Sequence, residues 1–463
     1  MKNIKLKRIH FIIASAVVVT GIAIVLIASI LTNDGSVQKS LSLGDSYLSD
    51  LDYNSAIREY SNVLAIDPLN QDALVGLAKS YAGTGDVDMV NRIFEQDLAD
   101  NQTSEVMRAY AEIKTNNGEY MEALQAIQKI VEMEDRDEDY EWLSEVLAKV
   151  MQNRHEYAES ETVTIAMKQN AVQTMGSNIL GALGNNVNLG QEERTTALAD
   201  AGFGETPASV YASGANSMVI DTQGKLWIAG SNRSGQKTDG VQMIANAGWT
   251  KVEELSGVVK AAGTDSTLFA LTQTGDLWMR GENAGYTYGS AWQDQWTQIS
   301  VYGKVLDIQC VGNNVLLHTL AGDVYRNQST YYNSYYQDGL NWELQASDIA
   351  HVSYEDNNLI CVDAEGVVRY YNYASFPYGW EYYDANGYWV GYKIPYEVAD
   401  VAAVEDGIYI LTDERELYWV KDGQCNLVSV KGEVESIYTL GNQCVAQWQN
   451  GGYGIFDSSG YLE

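Results

Sequence analysis

Short apolar runs on either side of a glycine-containing turn recur along the C-terminal part of the chain. In one copy the apolar tripeptides 269–271 and 277–279 flank the turn sequence Thr274-Gly275-Asp276. Glycine accepts the positive φ that a tight hairpin turn requires, so the pattern predicts a β-hairpin. A further apolar strand at 257–262 precedes this hairpin, and the extended stretch 249–252 leads into it.

The hairpin turns recur at spacings between 36 and 51 residues. A period of this length, built from short strands and glycine turns, is typical of a β-propeller, in which each small sheet buries its faces against its neighbours. The pattern predicts seven blades, or six if residues 163–186 form a helical linker and not a blade. The predicted turn positions are Asn178, Gly224, Gly275, Gly322, Gly366, Arg415 and Gly451.

These copies resemble the RCC1-repeat family, and the resemblance covers residues 162–463. It implies a seven-bladed propeller. WD40 repeats fit less well because their Gly-His and Trp-Asp marks are absent, and kelch repeats because the Gly-Gly doublet occurs once. The most specific runs are Trp227…Gly230-Ser231-Asn232…Gly235-Gln236 and Trp278…Gly281-Glu282-Asn283…Gly285.

A different repeat precedes the propeller, in residues 37–152. Small residues at Gly44 and Ala56 would let two helices approach, and Tyr47 and Tyr60 would fill the gap between them. This spacing resembles the tetratricopeptide (TPR) family. It implies an α-solenoid of three TPR repeats, closed by an acidic capping helix that starts at Asp137. Residues 153–161 are then a linker to the propeller.

An uncharged apolar stretch at residues 9–31 is long enough to span a bilayer as a helix. The tail 1–8 carries four basic residues and no acidic one, which favours a cytoplasmic N-terminus and places everything after the linker 32–36 outside the cell membrane. A cleaved signal peptide is the alternative, but the apolar run is longer than is usual for one. We therefore expect a single-pass signal-anchor.

The charge excludes one class of partner. The chain of 463 residues has a formal net charge of −33, although the tail 1–8 is basic. Phosphate backbones require a basic surface, so nucleic acid is not expected as a partner. The four cysteines form no CxxC motif. The three in apolar strand runs are expected to be buried free thiols, and Cys425 lies in a loop. A disulfide outside the cell is the alternative, although the spacing does not indicate one.

No catalytic motif is found, so we expect no enzymatic activity, no cofactor and no metal. The four histidines are scattered and none lies at ligand spacing. The acidic run 134–139 is interpreted as a solvated helix start and not as a cation site. Glu414 and Glu416 flank a turn and are interpreted as solvated.

Two aromatic clusters follow the hairpins of adjacent repeats. Fifteen of the 32 tyrosines lie between Tyr325 and Tyr396, mixed with Ser, Asn and Gly. This composition is typical of recognition surfaces, since rigid aromatic side chains give contact area at low entropic cost. The clusters could instead form the inserted segments' own core, or bind sugar rings. The candidate partner-binding residues are Tyr331, Tyr332, Tyr335, Tyr336, Trp342, Tyr378, Trp380, Tyr382, Tyr383, Tyr388 and Trp389.

Together these patterns predict a membrane-anchored scaffold on a bacterial cell surface. Its TPR groove and its aromatic propeller face would each bind partner proteins. The alternative is a surface module that holds cell-wall glycan on the aromatic face.

Overall fold

The structure is a computed structural model that divides into two compact units, Met1–Trp142 and Leu143–Glu463. Each unit is described separately below. The structure describes residues 35–99, 101–134, 136–150, 155–186, 194–237, 248–282, 292–327, 342–355, 358–363, 365–372, 392–404, 407–421, 424–430 and 432–457.

The first unit is helical. The last helix continues into the second unit. The helices are α1 (35–49), α2 (Tyr53–Leu64), α3 (Gln71–Thr84), α4 (Val87–Arg92) with a π-helical turn at Ile93–Asp97, α5 (Ser104–Asn117), α6 (Tyr120–Glu134) and α7 (Asp137–Val150).

Tyr60 on α2 is at the centre of the first helix contacts. It is fully buried, and a Cβ added to Gly44 of α1 or to Gly76 of α3 would lie within 3 Å of its ring. Its hydroxyl donates a hydrogen bond of 2.8 Å to Asp45 Oδ1. The small residues thus let three helices pack around one large side chain, as the spacing of Gly44 and Tyr60 predicts.

The acidic run at 134–139 is not simply a solvated helix start. Asp139 is only 1% exposed, and its carboxylate pairs with Arg108 of α5 and with Arg136. Arg108 also contacts Glu134 at 2.9 Å. Burial of a carboxylate requires such paired donors, so this part of the run ties α5 to α7 and the prediction of full solvation was wrong.

No helix in the described residues has the length and apolar character needed to cross a membrane. The predicted span at 9–31 lies outside the described residues.

The second unit contains seven antiparallel sheets, each made of strands consecutive in the chain, so the predicted seven-bladed propeller is confirmed. Blade one is β1 (Tyr157–Glu159), β2 (Val163–Lys168), β3 (Ala171–Ser177) and β4 (Arg194–Asp200); blade two is β5 (Pro207–Ser213), β6 (Asn216–Asp221), β7 (Leu226–Gly230) and β8 (Thr250–Lys251). Blade three is β9 (Val258–Gly263), β10 (Thr267–Thr272), β11 (Leu277–Glu282) and β12 (Trp292–Gln298); blade four is β13 (Val305–Val311), β14 (Asn314–Thr319), β15 (Val324–Asn327) and β16 (Trp342–Ala346). Blade five is β17 (Ile349–Glu355), β18 (Asn358–Asp363), β19 (Val367–Asn372) and β20 (Tyr392–Lys393); blade six is β21 (Val398–Val404), β22 (Gly407–Thr412), β23 (Leu417–Lys421) and β24 (Gln424–Leu427); blade seven is β25 (Val434–Leu440), β26 (Gln443–Trp448) and β27 (Tyr453–Phe456).

Blade one is real, but its predicted hairpin turn at Asn178 was wrong. Lys168 pairs with Ala171, so the turn consists of Gln169 and Asn170, both with positive φ. Asn178 instead follows the third strand, because the sequence comparison shifted this weak copy by one strand. The first strand, β1, lies within the segment that the sequence analysis treats as a linker.

Two smaller details also differ from the sequence interpretation. The stretch at 249–252 contains the outer strand of blade two, since Lys251 pairs with Trp227, and does not belong to the following hairpin's sheet. Cys425 lies in strand β24 opposite Val420 and not in a loop. All four cysteines are free thiols.

Contacts between the first and last blades close the ring. Val445 of blade seven packs against Tyr157 and Ala166 of blade one. The Tyr438 hydroxyl donates to the Tyr157 carbonyl at 2.7 Å, and the Gly452 N–H donates to Glu156 Oε2 at 2.6 Å.

Candidate functional site

One face of the propeller carries the connections between the third and fourth strands of each blade. In an antiparallel meander these connections lie at the same end as the turns between the first and second strands. We call this end the connection face. The two aromatic clusters interrupt such connections in blades four and five, between Asn327 and Trp342 and between Asn372 and Tyr392. The described strand ends on either side of the two clusters lie at the connection face, which agrees with the predicted place of both clusters.

Most of the predicted partner-binding residues lie outside the described residues. These are Tyr331, Tyr332, Tyr335, Tyr336, Tyr378, Trp380, Tyr382, Tyr383, Tyr388 and Trp389, and their role stays a prediction. Trp342 is described: it is half-buried at the start of β16, where it pairs with Asn327.

Blades one and two share a loop design on the connection face. A glycine ends the third strand with positive φ, at Gly176 and Gly230, and an asparagine follows two residues later. The side-chain oxygen of Asn178 accepts the Leu183 N–H at 3.2 Å, and that of Asn232 accepts the Lys237 N–H at 2.7 Å. Buried amide groups satisfied in this way hold the loops in one conformation.

The loop of blade two is also bonded to blade three. Arg280 of β11 donates to the Gly235 carbonyl at 2.8 Å, and Gln236 donates to the Asp265 carbonyl at 3.3 Å. Arg280, Gln236 and Asn232 are each less than 4% exposed. These contacts make this part of the connection face a rigid surface.

An open cavity of about 310 Å³ lies on the connection face between blades one and two. Ile179, a large apolar side chain that is 43% exposed, and Arg233, an exposed cation, are part of its lining. A cavity of mixed character at a rigid surface suits the side chain of a binding partner. Its other lining residues are Glu161, Thr162, Ser177, Leu180 and Ala215.

A second polar feature lies on the propeller axis. The innermost strands share a β-bulge near their start, visible as a register shift beside Ser209, Asp307 and Asp400. A bulge re-aims a side chain, and each of these directs a polar residue towards the axis. We use the name axial ring for seven polar residues. Six occupy this register position in blades two to seven, namely Ser209, Lys260, Asp307, His351, Asp400 and Ser436. The seventh, His155, precedes β1, and its ring packs against Tyr211 and Tyr438 of the inner strands of blades two and seven.

Lys260 and Asp307 of the axial ring form an ion pair between blades three and four. Gln309 donates to Asp307 Oδ2 at 2.9 Å and to the Val352 carbonyl at 3.1 Å. Burial alone would raise the pKa of Asp307, but the Lys260 charge and these hydrogen bonds hold it below its usual value.

Asp400 has a different environment. Burial raises its pKa to about 7, although the N–H groups of Val401 and Ile437 donate to its carboxylate and oppose the shift. Burial also lowers the pKa of His155 to about 3 and that of His351 to about 4, so both imidazoles are neutral near neutral pH.

The raised pKa of Asp400 predicts a pH-dependent stability. Because the folded state holds the Asp400 proton more tightly than the unfolded state, its contribution is present at low pH and is lost as pH rises from about 4 to about 7. We expect Asp400→Asn to remove this loss and to be the more stable protein by about 2–4 kcal/mol above neutral pH. Denaturant titrations of both proteins at several pH values test this.

Comparing the unmodified protein with the Asp400→Asn variant also separates the effect of Asp400 on the free energy of unfolding from the effect of the histidines. His155 and His351 lose stability as pH falls below about 6.5, which is the opposite sign, and they do so in both proteins. A free-energy difference that stays constant across the pH range would contradict the assignment.

The sequence analysis missed the axial ring. Its members belong to different repeats, and His155 lies in the segment taken as a linker. The available signal is a polar residue two positions after the first residue of an inner strand, as in Val305 and Asp307 or Val398 and Asp400. In the described residues no group of three or more His, Cys, Asp or Glu side chains is arranged to hold a metal ion.

No protein-family model matches the sequence, and no curated protein matches it significantly. Solved propeller structures do resemble it. Human WBSCR16 is 15% identical, with 63% of this chain and 89% of that chain covered and a TM-score of 0.47. Prp20p from Saccharomyces cerevisiae, whose binding to Gsp1p and histones has been described, is 14% identical, with 67% and 83% covered and a TM-score of 0.48.

These similarities are low, so the fold assignment rests on the seven sheets themselves. By that criterion the second unit is a seven-bladed β-propeller.

Proposed function

We propose that this protein is a membrane-anchored scaffold that binds partner proteins through the connection face of its propeller. The observation that carries the proposal is that the rigid loops of blades one and two and the cavity beside Ile179 and Arg233 occur together on that face. The predicted aromatic clusters of blades four and five begin and end at strand ends on the same face. Aromatic residues on a rigid support are typical of protein-binding surfaces.

Binding without catalysis is part of the proposal. Among the residues that the structure describes, no nucleophile, base and orienting group lie together, and the two cavities are open at the surface. A protein partner also fits the acidic composition, which would steer a basic partner towards the chain.

We further propose that the helical unit consists of TPR repeats and binds a second partner. The pairs α1–α2, α3–α4 and α5–α6 followed by α7 agree in number with three repeats and a cap. An open cavity of about 410 Å³ beside Arg108, Glu112 and Trp142 gives this unit a candidate contact of its own.

The location is also a proposal. The apolar stretch 9–31 and the basic tail before it favour a single-pass anchor with both units outside the cytoplasm.

The test is affinity capture from solubilised envelope with a soluble chain of residues 34–463. We expect a few enriched proteins, and their loss when Tyr382 and Trp389 are both replaced by alanine, because removing two central aromatic anchors costs several kcal/mol of binding. Capture that is unchanged in this double variant would refute the role of the aromatic connections.

A matched control uses an exposed tyrosine on the opposite face. Tyr302 is 70% exposed in the connection between blades three and four, and Tyr302→Ala is expected to leave capture intact. Retention of wall polysaccharide with no enriched protein would replace the scaffold by the glycan-binding alternative.

A further inference from the structure

The axial ring contains one carboxylate whose charge is not compensated. Lys260 and Asp307 neutralise each other in their ion pair. Within the described part of the chain Asp400 takes part in no ion pair, and its carboxylate accepts the main-chain N–H groups of Val401 at 2.9 Å and Ile437 at 3.4 Å. A half-buried carboxylate with only neutral donors favours the arrival of a cationic donor.

His155 supplies an independent sign of a binding site. Its side chain is more than nine-tenths buried, and its ring stacks on Tyr438 at 4.0 Å between centroids. Neither ring nitrogen makes a hydrogen bond to any residue that the structure describes. The Asp400 carboxylate accepts the Ile437 N–H, and the His155 ring stacks on Tyr438, the next residue of β25, so both groups adjoin the same inner strand.

Solvent reaches the axial ring, because the side chains of Lys260 and Asp307 are 20% and 25% exposed. The ring lies near the start of the inner strands, so the space beside it on the axis opens towards the face opposite the connection face. Deeper along the axis Ser353 Oγ lies 2.8 Å from the Ala403 N–H and 2.7 Å from Thr439 Oγ1, which ties blades five, six and seven together.

We propose that the axial ring binds a small primary ammonium ion. The ammonium ion would donate hydrogen bonds from its N–H groups to the Asp400 carboxylate and to a ring nitrogen of neutral His155. An ammonium group has three donors and no acceptor, which matches a site of acceptors with one uncompensated negative charge. An anion would find only the Lys260 cation, which Asp307 already neutralises. This site is separate from the connection face and does not depend on the proposed scaffold function.

The test uses the full-length chain in mild detergent and methylammonium chloride as the probe. Binding is followed by ligand-observed saturation-transfer NMR. We expect binding at about pH 8.5 that weakens about tenfold for each pH unit below neutrality, because protonated Asp400 must lose its proton to accept the ligand. Tetramethylammonium chloride at equal ionic strength has no N–H donor and should not bind.

The pH dependence is specific to Asp400. Asp307 and Lys260 face it but remain an ion pair, and the Cys444 thiol beside it has a pKa well above its usual value. His155 and His351 titrate near 3 and 4, below the range of the experiment.

Two variants complete the test. Asp400→Asn should weaken methylammonium binding at least about tenfold and abolish its pH dependence. Asp413→Asn, in the exposed turn between β22 and β23, removes the same charge elsewhere and should change nothing. Equal binding by the Asp400 variant, equal binding of tetramethylammonium, or no binding at any pH would overturn the proposal. If Asp400→Asn does not fold, the pH dependence of methylammonium binding to the unmodified protein still tests the proposal.

Discussion

Replacing Gly230 with alanine is expected to lower the free energy of unfolding of the propeller by about 3 kcal/mol or more. Gly230 has a φ of 122°, which side-chain-bearing residues rarely adopt. An added Cβ would also lie 2.1 Å from the Ala215 carbonyl oxygen and 2.8 Å from the Asn216 Cα. Both atoms belong to the backbone of the adjacent strand, so the collision cannot be relieved by rotating a side chain.

Blades one and three have the same positive φ and the same close backbone contact at the equivalent glycine. Replacement by alanine is therefore expected to destabilise each of these blades. Gly176 and Gly281 have φ values of 118° and 111°, and an added Cβ in each would lie 2.3 Å from a carbonyl oxygen. Close approach of two strands at this point positions the loop that follows on the connection face.

Gly312→Ala is the matched control. Gly312 also has a positive φ, of 55°, but nothing lies within 4 Å of its added Cβ. It should cost only about 1–2 kcal/mol. Denaturant unfolding followed by tryptophan fluorescence reports the propeller, since all tryptophans except Trp142 lie after Leu143. Equal losses in the two variants would show that the collision with Ala215 is not real.

Replacing Tyr60 with alanine is expected to destabilise the helical unit by about 4 kcal/mol. The side chain is fully buried where Gly44 and Gly76 leave room for it, and neither glycine has a side chain that could fill the resulting cavity. Loss of apolar contact and the uncollapsed cavity add to each other. Thermal unfolding followed by helical circular dichroism measures the effect.

Tyr60→Phe separates packing from hydrogen bonding. It keeps the ring and removes only the 2.8 Å bond to Asp45, so we expect a loss of about 1 kcal/mol. If alanine and phenylalanine cost the same, the ring does not hold these helices together.

The local pattern of the sequence was sufficient for the blades. Turn glycines such as Gly224, Gly275 and Gly322 lie between the second and third strands of their sheets, as predicted. Hairpin signals are local, because the turn and the two strands it joins are adjacent in the chain. The hairpin signal was misplaced in blade one, where the turn contains no glycine and Gln169 and Asn170 adopt positive φ themselves, although the glycine-free turn at Arg415 was placed correctly.

The candidate sites were predictable to different degrees. The place of the aromatic clusters in their blades follows from the repeat, and the strands ending at Asn327 and Asn372 agree with it. The buried pairing of Asp139 with Arg108 was not predictable, because the two residues lie on different helices. From sequence alone a run of acidic residues is predicted to be solvated, because the basic residue that pairs with it lies on another helix.

By itself, the sequence predicted a propeller of seven or six blades and placed aromatic connections in two adjacent repeats. The tertiary structure decided that there are seven blades, and it formed the axial ring, which includes His155 before blade one and Asp400 of blade six. The physical reason is that hydrophobic alternation and turn chemistry act over a few residues, whereas the ring requires contact between Tyr157 and Tyr438 and a register shift in inner strands such as β21. Those features come from long-range pairing, which the sequence pattern does not contain.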